Sequence, residues 1–314
     1  MPLAPLGHWG KLVSTSGGKP TSGSKAGDSM ELVTIVKLAA VGSIFLLVLS
    51  FGMEKRLADA FAFLHAPAES ARAMAAMYLV VPAVALGLAL WLPLVPATMF
   101  ALLALAVSPM PPIFPGKGAK VGGGNRYVMS LFVLATMATF VAAPLIVAID
   151  SYVLDVGLSF DVRQVLLIVG VTVAIPFAAG LALAAVAPAF AARIAHPLAL
   201  TGKALLAVTM LTALVVIAPN MLEAIGNFTL VACFLMAVAA LLAGHLLGGP
   251  VPGNRAALAT AATLRHPGVA LALAATASTE DSKQVTATVF LYLVIATLIG
   301  IPYGRWMKAR MARG

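Results

Sequence analysis

The sequence predicts an all-α polytopic membrane protein of about nine transmembrane helices, arranged as an inverted repeat in which two helices are broken. Three observations predict it. Of 314 residues, 61% are hydrophobic and only 10% charged, a composition outside the soluble globular range. Apolar windows of about 20 residues, the length that spans a bilayer, recur along the chain. Two of these windows are interrupted by proline and glycine at corresponding places in the two halves.

Residues 1–29, rich in Gly, Ser and Lys, are expected to be a disordered tail. Met30 stands directly before the first apolar run, so a start there is the alternative. Spans are expected near 31–52, 71–92, 96–124, 126–149, 160–187, 197–219, 226–248, 254–279 and 284–307. Between the first two, residues 54–71 mix charges with Leu57, Phe61, Phe63 and Leu64, the pattern of an interfacial connection. The third span is cut by SPMPPIFPGKGAKVGGGNR, residues 108–126, with four prolines and five glycines; the eighth is cut by LRHPG, residues 264–268. The broken spans lie five places apart, and an odd offset inverts matching helices. Residues 30–314 then form one membrane domain: a first repeat over about 30–150, a linking helix over about 160–187 and a second repeat over about 197–308.

The net charge of +9 is mostly a topology signal. With the N-terminus outside, eleven Lys and Arg fall on the cytoplasmic side, among them Arg72, Arg126, Arg255, Arg305 and Lys308, against five outside, three of them in the tail. This bias orients the chain N-out and C-in, in a plasma membrane of bacterial inner-membrane type, and excludes nucleic acid as the partner. The single cysteine, Cys233, supports neither a disulfide nor a thiolate metal site. HExxH, GxSxG and paired intramembrane aspartates are all missing from the sequence, so an enzyme is not expected.

Backbone that leaves the helix at membrane depth must be buried in protein or line a cavity. Two breaks bring four helix ends to the bilayer centre, an arrangement suited to ions and charged substrates. Lys117, Lys120 and Arg265 sit in or beside the breaks, each costing roughly 2.5–3.5 kcal/mol at a helix centre. The Asp and Glu residues, Asp150 among them, fall in or next to loops. Uncompensated positive charge in a cavity attracts an anion, so Lys117, Lys120, Asn125, Arg265 and His266 are candidate substrate-binding residues. Each has a plainer alternative. The lysines meet water or lipid phosphate if the first break bulges to the surface, Asn125 and Asn254 cap the helices that follow them, and Pro267 alone explains the break beside His266. Thr136 and Thr139, candidate ion ligands, also suit bonds to their own helix carbonyls.

The two breaks and their flanks resemble the bile acid:sodium symporter family. Ser108-Pro109, the Gly-rich break and SLFVLATMATFVAAP, ending at Pro144, stand where that family has a Pro-Gly-Gly break, a Ser-Asn pair and a Ser/Thr-rich helix ending in Ala-Pro. AATLRHPGVALAL, residues 261–273, is similar to its second motif. The resemblance implies a panel domain and a core domain, the core holding two broken helices that cross, and an organic anion moved by alternating access, usually with sodium. It sets the family's sodium-binding Glu on Ala261, a Gln on Arg265, an Asn on His266 and the Ser-Asn pair around Ala119-Lys120, leaving Thr136 as a retained hydroxyl ligand. With Lys120 and Arg265 at two of these positions, sodium coupling is not expected, and uniport, exchange or proton coupling takes its place. No cofactor is implied beyond Na+ or H+ as coupling ion. The other readings are a non-transporting membrane receptor or sensor, and an arsenite-type efflux carrier of related architecture, which calls for a cysteine at the break.

A reporter fused at Gly314 is expected in the cytoplasm and one inserted at Asp155 outside. Recovery of both on one side of the membrane would refute the nine-helix count.

Overall fold

The computed structural model describes residues 23–54, 60–154, 162–274 and 279–313, and among these every regular element is helical. Helix α1 runs Gly23–Glu54, reaching back into the stretch expected as a tail, whose residues 1–22 lie outside the described ones. A short 3-10 turn, Ala62–His65, leads into α2, Pro67–Trp91, which contains a π turn at Ala75–Val80. The first broken helix follows as α3, Pro96–Val107, and α4, Phe114–Lys120. Then come α5, Asn125–Leu154, and α6, which joins Val162–Val169 and Ile175–Val186 through a π turn. Helices α7, Pro188–Glu223, and α8, Thr229–Leu247, precede the second broken helix, α9, Pro252–Thr263, and α10, Pro267–Ala274. Helix α11, Thr279–Met311, ends the fold. Six helices in the described residues are long and apolar enough to cross a membrane, and α3 and residues 38–54 of α1 are shorter apolar ones. The chain is an integral membrane protein.

Lipid gives helices no hydrophobic reason to associate, so close backbone approach at small residues does that work. Helix α1 packs against α6 and α7. Gly52 meets Gly180 so closely that a Cβ on Gly52 would lie 2.9 Å from the Gly180 Cα, and one on Gly202 would lie 2.9 Å from Leu47. Gly244 of α8 and its C-cap Gly248, spaced four apart, lie directly on the backbone of Ala259 and Arg255 in α9. At the near end of α9, a Cβ on Gly253 would fall on the carbonyl oxygen of Gly122, in the turn joining α4 to α5. Gly122 holds φ +103°, backbone that other residues rarely adopt. It closes α4 together with Gly123, whose N–H donates to Gly118 O at 3.0 Å.

The breaks are shorter than the polar stretches that announce them. Ser108 is extended, φ −66° and ψ 138°, because the following Pro109 disfavours the helical region for the residue before it. Residues 108–113 carry the break, 114–120 are helix again and 121–124 form a surface turn. In the second, Leu264 is extended, φ −80° and ψ 126°, and α10 restarts at Pro267, whose fixed φ and missing N–H suit a first helical position. Asn254 is not a cap: α9 begins at Pro252, with Val251 as N-cap and no side-chain capping bond. Asp150, expected in or beside a loop, lies in the penultimate turn of α5, 2% exposed, with no partner for Oδ2 among the described residues.

Gly244→Ala and Gly42→Ala make the same change in helix propensity. A Cβ on Gly42 meets nothing within 4 Å, whereas one on Gly244 collides with Ala259. Thermal unfolding in detergent is expected to show Gly244→Ala destabilised by roughly 1–3 kcal/mol and Gly42→Ala not destabilised.

Candidate functional site

The two breaks are tied to each other. The N–H of His266 donates to Pro109 O at 2.9 Å, satisfying one released group from each segment. Arg265 is fully buried. Its Nη1 donates to Ser108 O at 3.2 Å, with a weaker contact to Ala106 O at 3.5 Å, and its Nη2 donates to Met77 O at 3.3 Å. The acceptors are thus the carbonyl end of α3 and the π turn of α2. The partial negative charge at a helix C-terminus makes that end a cation site. Two tyrosines flank the guanidinium. Tyr292 of α11 donates to Thr263 O at 2.9 Å, closing the carbonyl end of α9. Tyr78 of α2 lies within hydrogen-bond distance of Ala135 O, 2.7 Å, and of Thr139 Oγ1, 2.8 Å. His266 is 1% exposed and accepts at Nδ1 from the Val269 N–H at 3.4 Å. Arg265 Nε and His266 Nε2 are buried with no hydrogen-bond partner among the described residues.

Beside the crossing lies a cavity of about 270 Å³, walled by α4, α8, α9 and α11. Lys117 and Lys120 enter it from α4, and Arg305 and Lys308 from α11; Leu241, Leu264, Ala296 and Ile301 make its apolar wall, and none of its lining residues among those described is acidic. Thr260 and Thr263 also line it, their hydroxyls donating to Ala256 O and Ala259 O, both at 2.8 Å. Tyr303 closes one side, its hydroxyl 2.8 Å from His245 Nδ1. Leu264 and Thr263, the chain neighbours of Arg265, reach this cavity, whereas Arg265 and His266 stay inside the crossing.

The structure therefore divides the expected site residues into groups. Lys117 and Lys120 share the cavity, Lys120 exposed and Lys117 half-buried. Lys120 and Ala119 end α4 at the surface, so the pair that the resemblance set against the family's Ser-Asn is not part of the crossing; Ala106 to Pro109 are. Asn125 is exposed at the start of α5, beside a separate hollow of about 420 Å³ lined by Glu69, Arg126, Tyr127 and Asn254. Thr136 and Thr139 are buried and donate to Phe132 O and Ala135 O, both at 2.8 Å. Ala261 is fully buried in α9 and offers no ligand atom beyond its backbone. Among the described residues no cluster of three or more His, Cys, Asp or Glu is placed to hold a metal. Cys233 is buried in α8, away from both breaks in the chain. The sequence marks Arg305 and Lys308 only as topology charges and does not single out Tyr292, although a phenol inside an apolar span is a visible signal.

The sodium bile acid symporter family matches the chain over residues 42–225, more than half its length, and the chain belongs to that family. Its members are transporters and not enzymes. No curated protein matches the chain.

Tyr292→Phe removes the donor to Thr263 O while keeping the ring. Loss of one net hydrogen bond predicts destabilisation of roughly 0.5–1.5 kcal/mol, measured by thermal unfolding in detergent.

Proposed function

We propose that the protein is a secondary transporter of small organic anions, working by alternating access from the cavity between α4, α9 and α11. One observation carries the reading: four cationic side chains, Lys117, Lys120, Arg305 and Lys308, line a single cavity, and no described residue of its lining is acidic. Like charges gathered beside low-dielectric walls focus a positive potential and concentrate anions. At about 270 Å³ the cavity falls just below the roughly 300–1,000 Å³ of sites for drug-sized ligands. A compact carboxylate with a short apolar body suits it, and a steroid acid does not.

Nine spans complete this reading, with α3–α4 and α9–α10 each counted as one broken span, α6 linking two inverted repeats, the N-terminus outside and the C-terminus cytoplasmic. The packing of α1 with α6 and α7 supports their assignment as the panel, and the two broken helices with α2, α5, α8 and α11 make the core. The crossing belongs to the core and the anion to the cavity beside it. The burial of Cys233 in α8 gives no support to arsenite efflux.

Uptake of a panel of two- to six-carbon carboxylates into proteoliposomes tests the proposal. At least one is expected to be transported, with Lys117→Gln and Arg305→Gln each raising its KM roughly tenfold, as loss of a charge-assisted hydrogen bond implies. Transport confined to cations or neutral solutes would overturn it.

A further inference from the structure

Building on the transport reading, we propose that Arg265 is a resident cation: its guanidinium fills a carbonyl-lined cation site at the crossing, and the carrier moves its anion without co-transported sodium.

The acceptors set the argument. Broken helices in transporters hold sodium or protons with unwound carbonyls and half-helix C-terminal ends. Here those oxygens already have a cation. Arg265 Nη1 reaches Ser108 O and Ala106 O at the end of α3, and Nη2 reaches Met77 O. The remaining carbonyl end, Thr263 O of α9, is taken by the hydroxyl of Tyr292. The π turn explains why Met77 O needs a donor. In its five-residue register Met77 O would pair with the nitrogen of Pro82, which carries no hydrogen. Arg265 supplies that hydrogen from another part of the chain.

The charge balance points the same way. A guanidinium stays protonated in proteins, and Arg265 is fully buried. Neither α3, α9 nor α10 contains an Asp or Glu, so no carboxylate on the broken helices offsets a second cation. Sodium entering the crossing would meet a fixed like charge in a low-dielectric site, with its oxygen ligands occupied. A tethered cation also cannot be released to either side. The carbonyl ends of the crossing are therefore compensated in every state of the cycle, and the sodium gradient has no thermodynamic hold on the direction of transport.

The experiment has two arms on purified protein. In proteoliposomes, uptake of the transported carboxylate by the intact protein is expected to agree within twofold between sodium and choline chloride. Arg265→Ala is expected to lose at least tenfold, and added guanidinium ion, but not sodium, is expected to restore part of it. Strict sodium dependence of the intact protein, or rescue of Arg265→Ala by sodium alone, would overturn the proposal. In the second arm, thermal unfolding of the intact protein in detergent is compared in sodium and choline, since a bound ion raises stability by mass action. Equal midpoints support the resident cation; a sodium-specific rise would overturn it. If no anion is taken up in any salt, the transport reading fails, and the unfolding arm still decides on Arg265.

Discussion

The structure depends on one constraint: peptide groups released from a helix at membrane depth must find partners inside the protein. Prolines 109, 111, 112 and 267 make the releases unavoidable, because each lacks an N–H and restricts the residue before it. The response is mutual. Pro109 O receives the N–H of His266, Ser108 O receives Arg265, and Thr263 O receives Tyr292. Each broken helix is completed partly by the other, so neither segment is a stable membrane element alone. The same pairing draws in α2, whose π turn presents Met77 O to Arg265.

Positive charge plays two parts, distinguished by depth. At the C-terminal end of α11, Arg305 and Lys308 are exposed and fit the excess of basic residues that orients a membrane chain, yet they also line the cavity with Lys117 and Lys120. Arg265, fully buried, has no part in orientation. Its cost is met by helix-end carbonyls, which offer partial charges without a titratable group. In the proposed transporter the exposed set attracts the anion from water, while Arg265 holds the backbone of the crossing together. The arrangement is legible only when burial is known.

Much of the fold was readable because local chemistry decides it. Span positions follow from hydrophobic length, and both breaks follow from proline and glycine. The limits of each break were less readable: GKGAK looked as broken as its flanks, but Pro115 suits a helix start and Gly122 a helix stop, so 114–120 closes into a helix. Asn254 carried the right chemistry for a cap, but the helix starts two residues earlier at Pro252. Candidate site residues were readable by type and not by partner. Arg265 stood out as a cation in an apolar span, but its acceptors lie some 160 and 190 residues away in sequence, a distance no periodicity encodes. The same blindness hid the joining of Lys117 with Arg305. It also hid the burial of Asp150, since a helix end seen in sequence says nothing about what covers it.

The contact between Gly122 and Gly253 has a mechanical consequence. It brings the turn after α4 onto the first turn of α9, with no side chain between them, while Arg265 and His266 pin the same two segments at their centre. Each broken helix is thus fastened to the other at two points along its length. A pair of rods joined at two points cannot pivot about either one. In the transport cycle proposed above, exposure of the cavity to opposite sides of the membrane would therefore come from sliding or tilting of this braced unit as a whole against α1, α6 and α7, with the hinges in the connecting chain and not at the proline breaks.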